Sequence, residues 1–143
     1  MEILFKRMKK LVILFCVLLF SGYVHAQTDC SLYRKGYYMF TDSTGDTILI
    51  HRRNKYQYEY NRKVKEKTQY EVTWVNDCEY TITQRITNSR ALKKYRNNVT
   101  KVVISKSDGG NGYYYTCSCI DGTLKGKEYF LKKITKDEFY QHY

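Results

Sequence analysis

The sharpest chemical motif in the sequence is Cys117-Ser118-Cys119. On a strand, residues i and i+2 share a face, so the two thiols point the same way and a strain-free bridge between them is disfavoured. A metal site would need more ligands. The histidines beyond the N-terminal stretch are His51, which the strand order below puts near the other end of the fold, and His142 at the C-terminus. The acids Glu59, Glu71, Asp77, Glu79 and Glu128 are scattered, no motif pairs two of them, and two histidines do not make a Ser-His-Asp set. No catalytic residue, metal centre or cofactor is expected, and the chain reads as a non-enzyme.

Basic residues offer a second kind of chemistry, the capture of anions. They gather in two segments, Arg62, Lys63, Lys65 and Lys67 in one and Arg90, Lys93, Lys94 and Arg96 in the other, with Lys125 and Lys127 nearby. If both segments open at one end of the fold, ten cations crowd its mouth. Arg62, Lys63, Lys65, Arg90, Lys93, Lys94 and Arg96 are therefore the candidate ligand-binding residues. The bland alternative is that loops are charged because they are wet. Leu92 and Tyr95, three apart, predict a short amphipathic turn that folds as a lid or packs down.

The elements that position these groups start after a leader. Met1 to Gln27 has a basic opening (Lys6, Arg7, Lys9, Lys10), an apolar run from Leu11 to Phe20 and a small-residue exit at Val24-His25-Ala26. The run is too short to span a bilayer and reads as a secretory signal peptide, residues 1–26. Cys16 leaves with it, and no lipobox precedes Cys30. Removing the leader from the 143 residues leaves 117, a single domain over 27–143 with no transmembrane anchor and a net charge of +8. Export to the periplasm or beyond argues against a chromosomal partner. An anionic envelope component or a small amphipathic ligand fits better, and nucleic acid ranks last.

In the mature chain, strands are expected at roughly 36–41, 47–52, 56–60, 68–75, 78–86, 99–106, 112–119 and 128–134. Turn chemistry separates them at Asp42-Ser43-Thr44-Gly45, Arg53-Asn54, Asp108-Gly109-Gly110-Asn111 and Asp121-Gly122. The fold class is all-β: about eight antiparallel strands in a meander that closes into a lipocalin-like barrel, followed by a short C-terminal helix. That helix is announced by a capping box, Thr135 with Glu138, and a hydrophobic staple, Ile134 with Phe139. Tyr37, Tyr56, Tyr58, Tyr60, Tyr113, Tyr115 and Tyr129 are expected to fill or line the interior.

The central hairpin, Lys67 to Thr83, contains a conflict. A two-residue turn at Asn76-Asp77 would put Trp74 and Tyr80 on opposite faces, so a bulge or a three-residue turn is expected to bring Trp74, Tyr80, Val72 and Ile82 together. Odd strands start at one end of a meander barrel, so Cys30 and Cys78, preceding the first and fifth, share that end. Cys117 and Cys119 finish the seventh at the other end, roughly 25 Å away. A Cys30–Cys78 disulfide is the expected pairing.

Cys30, Arg34-Lys35-Gly36, Phe40, Ile50-His51-Arg52, Tyr58-Glu59 and the Trp74 to Tyr80 hairpin together resemble a family of small secreted proteins from Bacteroidetes. Its pattern is a cysteine, a Lys-x-Gly-x-Phe first strand, an Arg-centred second strand and Trp-x-x-x-Cys-x-Tyr. The resemblance covers about residues 30 to 85. It implies secretion but no activity; some relatives bear the name of a DNA topoisomerase IV subunit, for which this chain offers no nucleotide loop. The lipocalin outline is one of fold alone, since Tyr stands where the Gly-x-Trp of that family would need Trp.

Two functions follow. The first expectation is a structural or interaction protein of the periplasm or cell surface with a solid aromatic core. The alternative is a lipocalin-like carrier or sensor of a hydrophobic or anionic small molecule. Interior volume separates them.

Overall fold

The computed structural model describes residues 29–42, 44–118 and 126–143. The expected signal peptide with Cys16, together with Ser43, Cys119, the Asp121-Gly122 turn and Lys125, lies outside the described residues. Eight strands follow one another: β1 (Gly36–Thr41), β2 (Thr47–Arg52), β3 (Tyr56–Asn61), β4 (Glu66–Trp74), β5 (Glu79–Thr87), β6 (Val99–Ser107), β7 (Gly112–Cys117) and β8 (Glu128–Ile134). Each pairs antiparallel with its neighbours in sequence, and β8 returns to β1, so the meander closes into a barrel. Closure leaves no strand edge unpaired, the liability an open sheet of this length would carry.

The turns work as their residue types require. Asp42 Oδ1 accepts from the Thr44 and Asp46 amides at 2.8 and 2.9 Å and ties the β1–β2 connection. Between β4 and β5 the Val75 amide donates to the Glu79 carbonyl at 2.9 Å, enclosing the three-residue turn Asn76-Asp77-Cys78. Trp74 then faces Tyr80 and Val72 faces Ile82, with the Trp74 and Tyr80 rings 4.6 Å apart. A separate bulge lies farther from the turn in this pair, where Gln69 and Tyr70 oppose Ile86 and Gln84. The turn takes Cys78 off the strand expected to begin with it.

That displacement lets Cys78 reach Cys30, to which it is disulfide-bonded. The bridge holds a short 3-10 turn, Ser31–Tyr33, across one end of the barrel and drives Tyr33 fully inside. There the Tyr33 hydroxyl donates to the carbonyls of Gly109 and Gly112 at 2.7 Å, and its ring lies 4.7 Å from Tyr113. Gly112 cannot be replaced without disruption: its φ is 145°, and a Cβ would stand 2.1 Å from the Leu131 carbonyl oxygen. At the other end Cys117 is also disulfide-bonded.

Helix α1 (Lys136–His142) starts with the expected capping box: the Thr135 side chain accepts from the Glu138 amide, and the Glu138 carboxylate accepts from the Thr135 amide. Its staple residues Ile134 and Phe139 bury Leu49 on the outer wall. The main core is inside: Tyr38, Ile50, Val72, Tyr80, Val102, Ile104, Tyr113 and Leu131 are all buried there. Tyr113, Tyr115 and Tyr129 point inward as expected, whereas Tyr37, Tyr56, Tyr58 and Tyr60 point outward. Pairing fixes this phase: Gln57 lies opposite Arg52 and Glu59 opposite Ile50, both inside, so the tyrosines that alternate with them face out.

The disulfide closes a loop of 48 residues in the unfolded chain, worth about 4 kcal/mol in the chain-entropy picture. Changing Cys30 and Cys78 both to Ala should therefore lower the urea unfolding free energy by about 4 kcal/mol. An unchanged midpoint would show that the barrel end is closed without the bridge.

Candidate functional site

Arg52, the last residue of β2, is 1% exposed in the lower barrel. Its guanidinium is spent on four acceptors: Nε donates to Gln57 Oε1 at 2.7 Å, Nη1 to the Tyr33 carbonyl at 3.0 Å, and Nη2 to the Tyr80 and Tyr113 hydroxyls at 2.8 and 2.9 Å. The Tyr80 and Tyr38 rings stand 4.6 and 5.1 Å from its central carbon. Burial works against its charge, but the oxygens of Tyr113, Tyr80 and Tyr38 more than offset this and raise its pKa. The cation is permanent, and four of its five N–H donors are used within the protein.

A second ionisable group sits above it. Gln57 Nε2 donates to Glu59 Oε1 at 2.7 Å, so one amide links the guanidinium to a carboxyl group. Protein atoms surround that carboxyl, and burial raises its pKa despite the opposing pull of Gln57 and Arg52. The Glu59 charge in turn raises Tyr70, with burial adding to the effect, while burial first raises Tyr38, Tyr80 and Tyr115. These phenols stay neutral and serve as hydrogen-bonding groups.

Exposure divides the interior in two. Below, Tyr33, Tyr38, Arg52, Tyr80 and Tyr113 close the floor. Above, Phe40, Ile48, Glu59, Tyr70, Ile82, Tyr115 and Tyr129 point inward by register and yet are only half-buried, while Thr68 and Gln84, opposite Glu59 and Tyr70, are buried between them. An inward side chain in a closed barrel keeps accessible surface only beside an internal hollow or a mouth. This less closed upper end, called the cup below, is lined by rings: Tyr115 and Phe40 lie 5.6 and 6.0 Å from the Tyr129 ring. The Tyr129 hydroxyl is buried and hydrogen-bonds to none of the described residues.

The cup faces the end at which the basic loops stand. Arg62, Lys63 and Lys65 lie in the β3–β4 turn, and Arg90, Lys93, Lys94 and Arg96 in the β5–β6 connection, all exposed. Asn88 joins the two segments: its Oδ1 accepts from the Lys67 amide at 2.7 Å and its Nδ2 donates to the Lys65 carbonyl at 3.2 Å. The seven side chains do not converge on one point. Lys63 is paired with Asp46 at 2.7 Å, Lys94 lies over Tyr95 at 4.9 Å, and Lys93 and Arg96 line a small groove on the outer wall. Leu92 caps and Tyr95 ends a 3-10 turn, Lys93–Tyr95, held by Gln84, whose amide donates to the Leu92 carbonyl at 2.8 Å.

Sequence reasoning passed over Arg52, Gln57 and Glu59 as a site. The available signal was phase, because Arg52 falls in step with the apolar Ile48 and Ile50 of its own strand. Among the described residues no three His, Cys, Asp or Glu side chains gather as a metal site. Nor is any described helix long and apolar enough to cross a membrane.

Arg52→Leu leaves Gln57, Tyr80, Tyr113 and the Tyr33 carbonyl without their shared donor. It should cost about 3 kcal/mol or more by denaturant titration, and Arg52→Lys should not restore the loss, because one ammonium cannot reach four separated acceptors. Glu59 gives a pH signature. With its folded pKa raised, the native state holds the proton longer than the unfolded state, so its contribution falls as pH rises from about 4.3 through the folded value. Glu59→Gln should raise the melting temperature at pH 7 and change it little at pH 4; equal shifts at both would contradict this assignment. Compared with protein-family models, curated proteins and solved structures, the chain matches none, so its function is to be read from its own geometry.

Proposed function

We propose that the protein is an extracytoplasmic binding protein that carries or senses a small, mostly apolar molecule with a hydrogen-bonding head, held in the upper barrel. The observation that carries this reading is the half-burial of inward Phe40, Ile48, Tyr70, Ile82, Tyr115 and Tyr129 above a sealed floor. A protein with a purely structural barrel would need those positions packed to the density of the floor. Apolar walls with a few placed polar groups are the usual composition of a small-molecule site. Here the polar groups are the Glu59 carboxyl and the phenols of Tyr70, Tyr115 and Tyr129.

Arg52 is not the counter-ion of this ligand. Four of its five N–H donors are used below, so the ligand's apolar body rather than this charge supplies most of the affinity. The exposed cations of the two loops act at the mouth, drawing an amphipathic molecule by long-range attraction that salt weakens. The disulfide fits an exported protein, since such bonds persist in oxidising compartments.

Residues 27–143 titrated with N-phenyl-1-naphthylamine should raise the dye's fluorescence to saturation at one site. Ile82→Trp, which fills the cup, should weaken binding at least tenfold with the circular dichroism spectrum unchanged, while Tyr140→Ala on the outer wall should leave it intact. No enhancement, or one abolished only by Tyr140→Ala, would overturn the reading.

A further inference from the structure

A second recessed surface lies outside the barrel, lined by residues of α1, β2, β3 and β4. It is a groove of about 530 Å³, within the range of small-molecule sites. Its walls are rings that the strand alternation left facing out. Tyr60 lies 4.7 Å from Tyr143, Tyr58 and Tyr140 line the groove with them, and Phe139 anchors the helix beneath. Tyr140 is 57% exposed, Tyr143 50% and Tyr58 38%, a concentration of open aromatic surface on the outer face of the wall.

Two cations stand on the lining of the groove. Lys67 Nζ donates to the Tyr143 hydroxyl and stands 5.3 and 4.9 Å from the Tyr60 and Tyr143 rings, which hold its ammonium at the rim. Arg53 adds a second exposed cation. Glu59, the acidic residue on the lining, turns its carboxyl inward to Gln57. His51, Gln69 and the tyrosine hydroxyls supply neutral hydrogen-bonding groups between the two cations.

Open rings that can receive the C–H face of a sugar, many neutral hydrogen-bonding groups and two cations match a ligand rich in hydroxyls and sparing in negative charge. We propose that this groove is a binding site for a short stretch of acidic polysaccharide, its sugar rings lying on Tyr58 and Tyr140 and its carboxylates meeting Arg53 and Lys67. A single-stranded nucleic acid would stack on the same rings but asks for a cation at each phosphate, and the groove presents two. The site is independent of the cup. It would hold the carrier at an acidic polymer while the barrel is loaded or empty.

Isothermal titration of residues 27–143 with an oligogalacturonate, a neutral malto-oligosaccharide of equal length and an oligothymidylate tests this. The acidic sugar should bind at least tenfold more tightly than the other two. Tyr140→Ala and Tyr58→Ala, both at exposed positions, should each weaken it about tenfold, and the double change Arg53→Gln with Lys67→Gln should erase the preference over the neutral sugar. Ile82→Trp should leave it untouched. Equal binding of the neutral sugar, tighter binding of the oligothymidylate, or no binding of any of the three would overturn the proposal.

Discussion

A single buried guanidinium organises the lower barrel. Desolvating the Arg52 charge is expensive unless nearly every donor finds an acceptor, and the acceptors come from four places in the chain. Tyr80 reaches it from β5, Tyr113 from β7, Gln57 from β3, and the Tyr33 carbonyl from the N-terminal turn. A lysine could not serve this set, because only a planar fork spreads its donors over so wide an arc. The disulfide has a related task. By fixing Cys30 to the β4–β5 turn it delivers the Tyr33 carbonyl, which accepts from both Arg52 and the Tyr38 hydroxyl.

The same charge dictates the phase of β3. Gln57 must point inward to accept from Nε, and Glu59, two residues on, then points inward as well. The tyrosines between and beside them are forced onto the outer wall, where α1 covers some and leaves others open. One polar cluster thus closes the floor, places a carboxyl group at the base of the cup and creates the external aromatic groove. Which residues face each side of the wall here follows from how the buried charge is satisfied.

Much of this architecture was legible in the sequence because it depends on local rules. Turn residues marked the strand ends, Thr135 and Glu138 marked the helix start, and the parity of a meander selected Cys30 with Cys78. The need for Trp74 and Tyr80 to share a face predicted a bulge or a three-residue turn, and the chain takes the turn. The phase of β3 was different, since Tyr-Gln-Tyr-Glu-Tyr alternates equally well either way and hydrophobicity chose the tyrosines for the inside. The choice is settled across strands by Arg52, a relation no window on β3 contains. The basic segments were legible as neighbours at one barrel end, but charge alone does not show whether side chains converge, and these spread over the rim.

The cup is tested most directly by crystallography of residues 27–143 soaked in a brominated apolar probe and examined by anomalous scattering. The account predicts a bromine peak inside the upper barrel, among Phe40, Ile82, Tyr115 and Tyr129, with the Arg52 cluster below undisturbed. An interior without a peak, its upper half closed by those side chains packed against one another, would contradict the account and leave a solid barrel in place of a carrier.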